Sequence, residues 1–439
     1  MQKNNALLNI PRVIIEKSHE ALRKLNSDIR NSDLIHNISP YTGDFLGIFT
    51  DGSSIYSERR GCAVAVFSAN SIVSGIRRKS RVLEHVFDVK PFYLIIIPKI
   101  NVPMRVHAIM HGIEYVSALA GLRKHSDEIE LVSFDGSFIK AIREPFNAVL
   151  NPFKEFAFSH INNVGKEEGL KDIIAIIRAL DKEVTSWLKE IFNSNDAKAI
   201  IKSFRDEYYL IIDHLFDDLM QYVTEDDMFM LQNYLMLFVE QNFYIFALLE
   251  ILRVCEEKRI PGIWISKDSE ARVLVRRYPE LKYSSDLTIL DSILKDGEFI
   301  VLSEFLPLQT LNYENFVVKS KGDIISPAKV HAIANNLAIE LYEKFGSYNV
   351  VYVKMKNFTL RITFPEKLLS ASDVNNILAM LNKISPKGYP EPLMIAHYRC
   401  ILREKLADRI AESLYRNCDE NMSSIICSLL SKLGREIIL

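Results

Sequence analysis

Apolar residues along this chain follow two rhythms. Phe45–Thr50 (FLGIFT) and Phe92–Ile97 (FYLIII) are short, nearly unbroken apolar runs, the pattern of strands buried on both faces. The first leads into Asp51-Gly52-Ser53, where the glycine predicts a turn and Asp51 closes the strand. Ile129–Ser137 (IELVSFDGS) repeats that grammar, with Asp135 at the second strand end. Residues 60–67 and 70–78 read as two separate strands that make a meander of three with the first. Strands are predicted again at 260–266 and 299–302, and a hairpin over 350–364 turns at Asn357.

The second rhythm is helical. Residues 11–30 carry a stripe of Val13, Ile14, Ala21, Leu22 and Leu25, which reads as a packing arm or an oligomer contact. A helix is predicted over 104–122. Residues 138–258 show only helical spacing, as at Ile173, Ile176, Ile177, Leu180, Val184 and Leu188. The block ends in a long apolar helix over 226–258, acidic at its start and basic at its end, in keeping with the helix dipole. Helices at 371–383 and 394–415 and a final one close the chain. Strands that alternate with helices define an α/β class, a sheet flanked by helices. The domain reading is an N-terminal helical arm (1–40), a core in two parts (41–137 and 259–439) and a helical insertion between them (138–258).

Composition changes this picture little. The 439 residues suffice for two or three domains, or for one with a large insertion. A formal charge of −2 excludes a globally basic nucleic-acid coat, so any DNA contact needs a local patch. Arg77, Arg78, Lys79 and Arg81 form the densest basic run, and Arg272, Arg276 and Arg277 the second. Such runs are solvated faces or phosphate contacts. Five scattered cysteines without a CxxC pair favour a reducing cytoplasm. No secretory signal is expected, and no uncharged run reaches about 18 residues, so neither is a membrane span.

The candidate chemistry is acidic. Glu114 lies in the helix between the two Asp-bearing strands, in surroundings apolar enough to place it against the sheet. Buried carboxylates need a partner, and Asp51, Glu114 and Asp135 together would suit a hard divalent ion. The alternative is a surface glutamate with two turn-capping aspartates. On the same helix His107, His111 and Glu114 share one face at i, i+4 and i+7, a spacing open to zinc. The HExxH pattern that would supply a general base is missing, so ordinary hydrogen-bonded histidines compete with that reading. Lys267 follows another strand and can orient a phosphate or pair with Asp268. His397, eight residues after Tyr389 in GYPEPLMIAHYRC, is a candidate ligand or proton donor that opens a basic helix, or a packed histidine.

In this order, the two DGS motifs at Asp51 and Asp135, the Glu114 helix, Lys-Asp-Ser at Lys267 and the Tyr389/His397 pair resemble the NurA family of archaeal DNA-end-processing nucleases. The resemblance spans about residues 45–405 and skips the helical block. It implies an RNase H-like core, a mixed sheet flanked by helices, to which the periodicity adds the large helical insertion and the helical C-terminus. It also implies a toroidal homodimer and Mn²⁺-dependent action on single- and double-stranded DNA ends, with Mg²⁺ the alternative ion. The partner it implies is a hexameric HerA-type ATPase. By motif position Asp51, Glu114, Asp135 and His397 would be metal ligands and Tyr389 an active-site residue, and Lys267 is a further candidate catalytic residue. The leading expectation is a 5′–3′ exonuclease with single-strand endonuclease activity in DNA end resection. Its rival is a catalytically weak platform that docks on and stimulates a hexameric DNA translocase.

Overall fold

The strands with the strongest apolar runs lie at the centre of one mixed ten-stranded sheet. The strands are β1 (His36–Asn37), β2 (Phe45–Glu58), β3 (Ala63–Arg77), β4 (Ser80–Ile96), β5 (Leu131–Asp135), β6 (Gly262–Ser266), β7 (Glu298–Val301), β8 (Gln309–Thr310), β9 (Ser347–Met355) and β10 (Phe358–Pro365). Their order is β1-β7-β9-β10-β6-β5-β2-β3-β4, with β8 on β9. This computed structural model describes residues 12–282, 284–305, 309–310, 336–418 and 424–432.

β2, β5 and β6 run parallel and the other pairs antiparallel. Parallel neighbours need a long crossover. One is α2 (Val102–His125), which follows β4. The other comprises α3 (Phe138–Val164), α4 (Lys166–Ile191), α5 (Ala197–Leu219) and α6 (Met228–Lys258). The sheet divides the apolar core. Leu46, Ile48, Val132, Phe134 and Trp264 pack with α2 and the four-helix block on one face. Phe45, Phe49, Leu131, Ile263 and Ile265 pack with residues of the helices Val374–Ile384 and Glu391–Cys400 on the other.

The buried ion pair of Arg105 (α2) and Glu240 (α6) locks the helical side. The Arg105 guanidinium donates to both Glu240 oxygens at 2.8 and 3.1 Å, to the Pro98 carbonyl at 2.7 Å and to the Tyr208 hydroxyl at 2.9 Å. With its 3₁₀ lead-in, α6 is long and apolar enough to cross a membrane, but 94% of its apolar window is buried inside the protein. Scattered charges, Glu240 among them, hide that length from a search for uncharged runs.

Several element boundaries depart from the sequence reading. β2 does not stop at Asp51. It continues to Glu58, with Asp51 opposite Asn70 and Gly52 opposite Ala69. Gly52 therefore makes no turn; its role is close approach. A Cβ there would stand 3.2 Å from Glu114 Cβ and 3.5 Å from Met110 Cγ, so the glycine admits α2 against the sheet. Residues 60–67 and 70–78 are one strand, β3, because Ser68 and Asn70 are accommodated inside the sheet. Ser68 donates to the Val89 carbonyl at 3.2 Å, and Asn70 donates to Asp88.

β4 begins at Ser80, which puts the first basic run in the β3–β4 turn, with Arg78 and Lys79 at φ 51° and 64°. Arg77 pairs with Glu84 and Glu128, and Arg81 with Glu391, so part of the run is already matched to acids. Residues 394–415 are two helices, Glu391–Cys400 and Leu406–Arg416, and His397 lies in the last turn of the first, not at a helix start. In α1 (Arg12–Arg30), Leu25 is fully buried in the chain's own core and Leu22 packs against it. That part of the stripe is spent within the chain and offers no free dimer face. The side chains of Val13, Ile14 and Arg277 lie outside the described residues.

Candidate metal centre

Although β2 runs on past Asp51, its parallel ladder with β5 ends there. The last paired residues are Thr50 and Phe134, and Asp51 and Asp135 are the next residue on each strand. Residue alternation places Asp51 with Phe45 and Phe49 on the face covered by the C-terminal helices, where the Asp51 carboxylate meets His397 Nδ1 at 2.6 Å. Glu114 arrives from the opposite face on α2, through the space left by Gly52. All three carboxylates line one cavity of about 230 Å³ with His107, His111, Lys140, Glu144, Tyr244 and Trp264. The carboxyl end of parallel strands is the usual place for a ligand in such sheets.

Tyr389 is buried next to Asp135, and Lys267 Nζ lies 5.3 Å from the centre of its ring. The Tyr389 hydroxyl has no hydrogen-bond partner of good geometry. Burial and then the charge of Asp135 push its pKa up. Asp51, Glu114, Asp135, Lys267, Tyr389 and His397 thus share one neighbourhood, assembled from β2, α2, β5, β6 and the Glu391–Cys400 helix. Lys267 is exposed just past the end of β6.

The buried carboxylates raise one another's affinity for a proton or a cation. Burial, followed by the charges of Asp51 and Asp135, raises the Glu114 pKa well above the carboxylate range. Burial and Asp135 also raise that of Asp51, against the hydrogen bond from His397. Among the described residues, the basic side chains that meet Asp51 and Glu114 are imidazoles, His397 and His111. Burial lowers the His111 pKa to about 3, so it meets Glu114 as a neutral ring. By donor type, carboxylate oxygens with one imidazole suit Mn²⁺ or Mg²⁺ and are too poor in nitrogen and sulfur for a structural zinc site. Among the described residues, however, Asp51, Glu114, Asp135 and His397 do not bring three ligand atoms within 4.8 Å of one another.

The histidine face of α2 is built otherwise than its spacing suggests. His111 Nδ1 meets Glu114 at 2.8 Å, so Glu114 is its hydrogen-bond partner. His111 Nε2 faces His107 Nε2 at 3.0 Å, and His107 Nε2 meets Glu144 Oε2 at 2.8 Å. The sequence reading missed Glu144, which lies on α3 far along the chain. It also missed Tyr244 of α6, whose ring stacks on His111 at 5.5 Å. Both lie inside helices whose periodicity reads as packing, and no local signal singles them out.

A larger cavity of about 1250 Å³ adjoins the first and shares Gly136, Ser137, Lys140 and Glu144 with it. Its walls carry Arg143, Arg272, Arg276, Lys282 and Arg361. Arg272 and Arg276 of the second basic run therefore line a groove that adjoins the acidic site.

Fold and site together define an α/β protein with a carboxylate-lined cavity at the carboxyl ends of its parallel strands. The NurA domain family model matches residues 47–399, and the chain belongs to that family. Among solved structures, the NurA nuclease from Sulfolobus solfataricus is similar, with 18% identity, a TM-score of 0.54, and coverage of 94% of this chain and 97% of that one. A NurA structure with manganese shares 14% identity at a TM-score of 0.56, covering 95% of this chain and 100% of that one. A NurA structure bound to dAMP and manganese shares 14% at a TM-score of 0.53, covering 95% and 98%. These likenesses show the fold. No curated protein matches.

Proposed function

We propose that the chain is a divalent-metal-dependent DNA nuclease. The observation that carries this reading is the meeting of Asp51, Glu114 and Asp135 in one cavity, with His397 on Asp51 and a basic groove alongside. Family membership and the similarity to a protein solved with dAMP and manganese support it. Asp51, Glu114, Asp135 and His397 would hold the ion, Mn²⁺ in preference to Mg²⁺. When bound, such an ion polarises the phosphodiester and lowers the pKa of the attacking water.

The chain's own residues do the positioning. Gly52 lets Glu114 reach the aspartates, and His397 orients Asp51. Lys267 stands where it can neutralise a phosphate, and Tyr389 holds its buried hydroxyl beside Asp135. The arginines of the adjoining groove supply phosphate contacts that the net charge of −2 cannot provide globally.

The finer reading is a cytoplasmic 5′–3′ exonuclease with single-strand endonuclease activity in DNA end resection. It acts as a homodimer stacked on a HerA-type hexameric ATPase. Enclosure by a ring compensates for the weak overall field, so activity on long duplex rises with the ATPase and ATP. The test is degradation of end-labelled DNA in Mn²⁺ and in EDTA, by the wild type and Asp51→Asn. Mn²⁺-dependent cleavage that falls at least about 100-fold in a folded Asp51→Asn protein is expected. Wild-type rates in that variant would remove Asp51 from the ligand set. A folded wild type that binds the ATPase and cuts nothing in Mn²⁺ would establish the docking-platform reading instead.

A further inference from the structure

Besides the carboxylate cluster, the same cavity holds a nitrogen-rich set of donors. Among the described residues, His107, His111 and Glu144 are the trio of metal-capable side chains whose ligand atoms all lie within 4.8 Å of one another. The two Nε2 atoms are 3.0 Å apart, and Glu144 Oε2 is 2.8 Å from that of His107. Ligands on a zinc tetrahedron, with bonds of about 2.0–2.1 Å, stand about 3.3–3.4 Å from one another. Widening these two contacts by about half an ångström brings them to that spacing, and the third pair, His111 and Glu144, lies within 4.8 Å.

We propose that His107, His111 and Glu144 form a second metal site, selective for Zn²⁺ and separate from the oxygen-rich one. Three independent features support it. Two imidazoles meeting Nε2 to Nε2 present lone pairs that a cation satisfies better than one shared proton. The outer partners of the ligands are also in place. With an ion on His111 Nε2, its Nδ1 carries the hydrogen, and Glu114 accepts it at 2.8 Å, the carboxylate–histidine–metal arrangement. Glu144 Oε1 is held by Lys140 at 3.2 Å, which leaves Oε2 for the ion.

The third feature is placement. His111 is clamped by the Tyr244 ring, while His107 and Glu144 stay partly open to the cavity. An ion can enter there, and its fourth position would face the cavity. Two imidazoles and a carboxylate favour zinc over manganese in the Irving–Williams order. Glu114 belongs to both sets, as an expected ligand of one and the hydrogen-bond acceptor of the other. Zinc at the histidines would fix the His111 Nδ1 hydrogen toward Glu114, coupling the two sites.

The site stands or falls independently of the nuclease assignment, because the test reads metal content. The metal-stripped full chain is dialysed against Zn²⁺ in saturating Mn²⁺, and bound metals are counted for the wild type, His107→Ala and Glu144→Gln. Co²⁺ replaces Zn²⁺ in a parallel absorption measurement, and circular dichroism checks folding. The wild type should retain about one Zn²⁺ per chain and show the visible bands of tetrahedral cobalt. Both variants should lose that ion, with affinity reduced at least about 100-fold, while their Mn²⁺ content is unchanged. If a variant fails to fold, the other decides. A wild type that keeps no zinc in Mn²⁺, or folded variants that keep it equally well, would overturn the proposal.

Discussion

Gly52→Ala separates the two roles a glycine can have in an Asp-Gly-Ser stretch. As a turn residue, Gly52 would be needed for its backbone freedom. In the structure it is an interior strand residue outside the positive-φ set, and what it provides is room for Glu114. A methyl group there would stand 3.2 Å from Glu114 Cβ and 3.5 Å from Met110 Sδ. The first distance is a few tenths of an ångström too short. Removing a glycine from a strand gains about 0.5–1 kcal/mol, whereas overpacking costs about 1–3 kcal/mol. The net expectation is a loss of up to about 2.5 kcal/mol. Because α2 yields where Glu114 sits, the three carboxylates shift relative to one another. If an ångström of misplacement costs about 100-fold, a few tenths cost about 3- to 10-fold. Urea unfolding gives the first quantity, and Mn²⁺-dependent cleavage of labelled DNA gives the second. An alanine variant more stable than wild type and fully active would refute the close-approach argument.

Two further predictions test the buried charges. Burial and the neighbouring aspartates raise the folded-state pKa of Glu114, so the folded chain holds that proton more tightly than the unfolded chain. The unfolded state then binds fewer protons, and metal-free stability falls as pH rises above the ordinary carboxylate value. Glu114→Gln should flatten that fall in thermal unfolding between about pH 5 and 8, and Mn²⁺ should stabilise the wild type more at the upper end, because the ion binds the deprotonated form. An unchanged pH slope in the glutamine variant would show that Glu114 is not the group responsible. Arg105→Ala leaves Glu240 buried and unpaired and should cost about 3–5 kcal/mol in urea unfolding, with Arg105→Met/Glu240→Leu recovering most of it. A single variant that loses under about 1 kcal/mol would mean that the pair is not needed to hold α2 on α6.

Periodicity alone determined much of this protein. The short apolar runs at 45–50, within 129–137 and at 260–266 read as buried strands, and residues 138–258 have only helical spacing. The hairpin at 350–364 follows from two β-rich runs around Asn357. Local pattern also picked out Asp51, Asp135 and Glu114, since acids set in apolar surroundings require a partner. Tertiary structure decided whatever depends on atoms far apart in the chain. Whether Asp-Gly bends a strand or admits a helix depends on what packs opposite it, and Glu114 is 62 positions away from Gly52 in sequence. The joining of residues 60–67 and 70–78 into one strand depends on hydrogen-bond partners that β4 supplies to Ser68 and Asn70. Glu144 reaches His107 from α3, which starts just after β5, a contact between two helices that no spacing along one of them encodes. Short-range pattern records which surfaces must be buried, and the sheet order and helix crossings determine which side chains meet once they are.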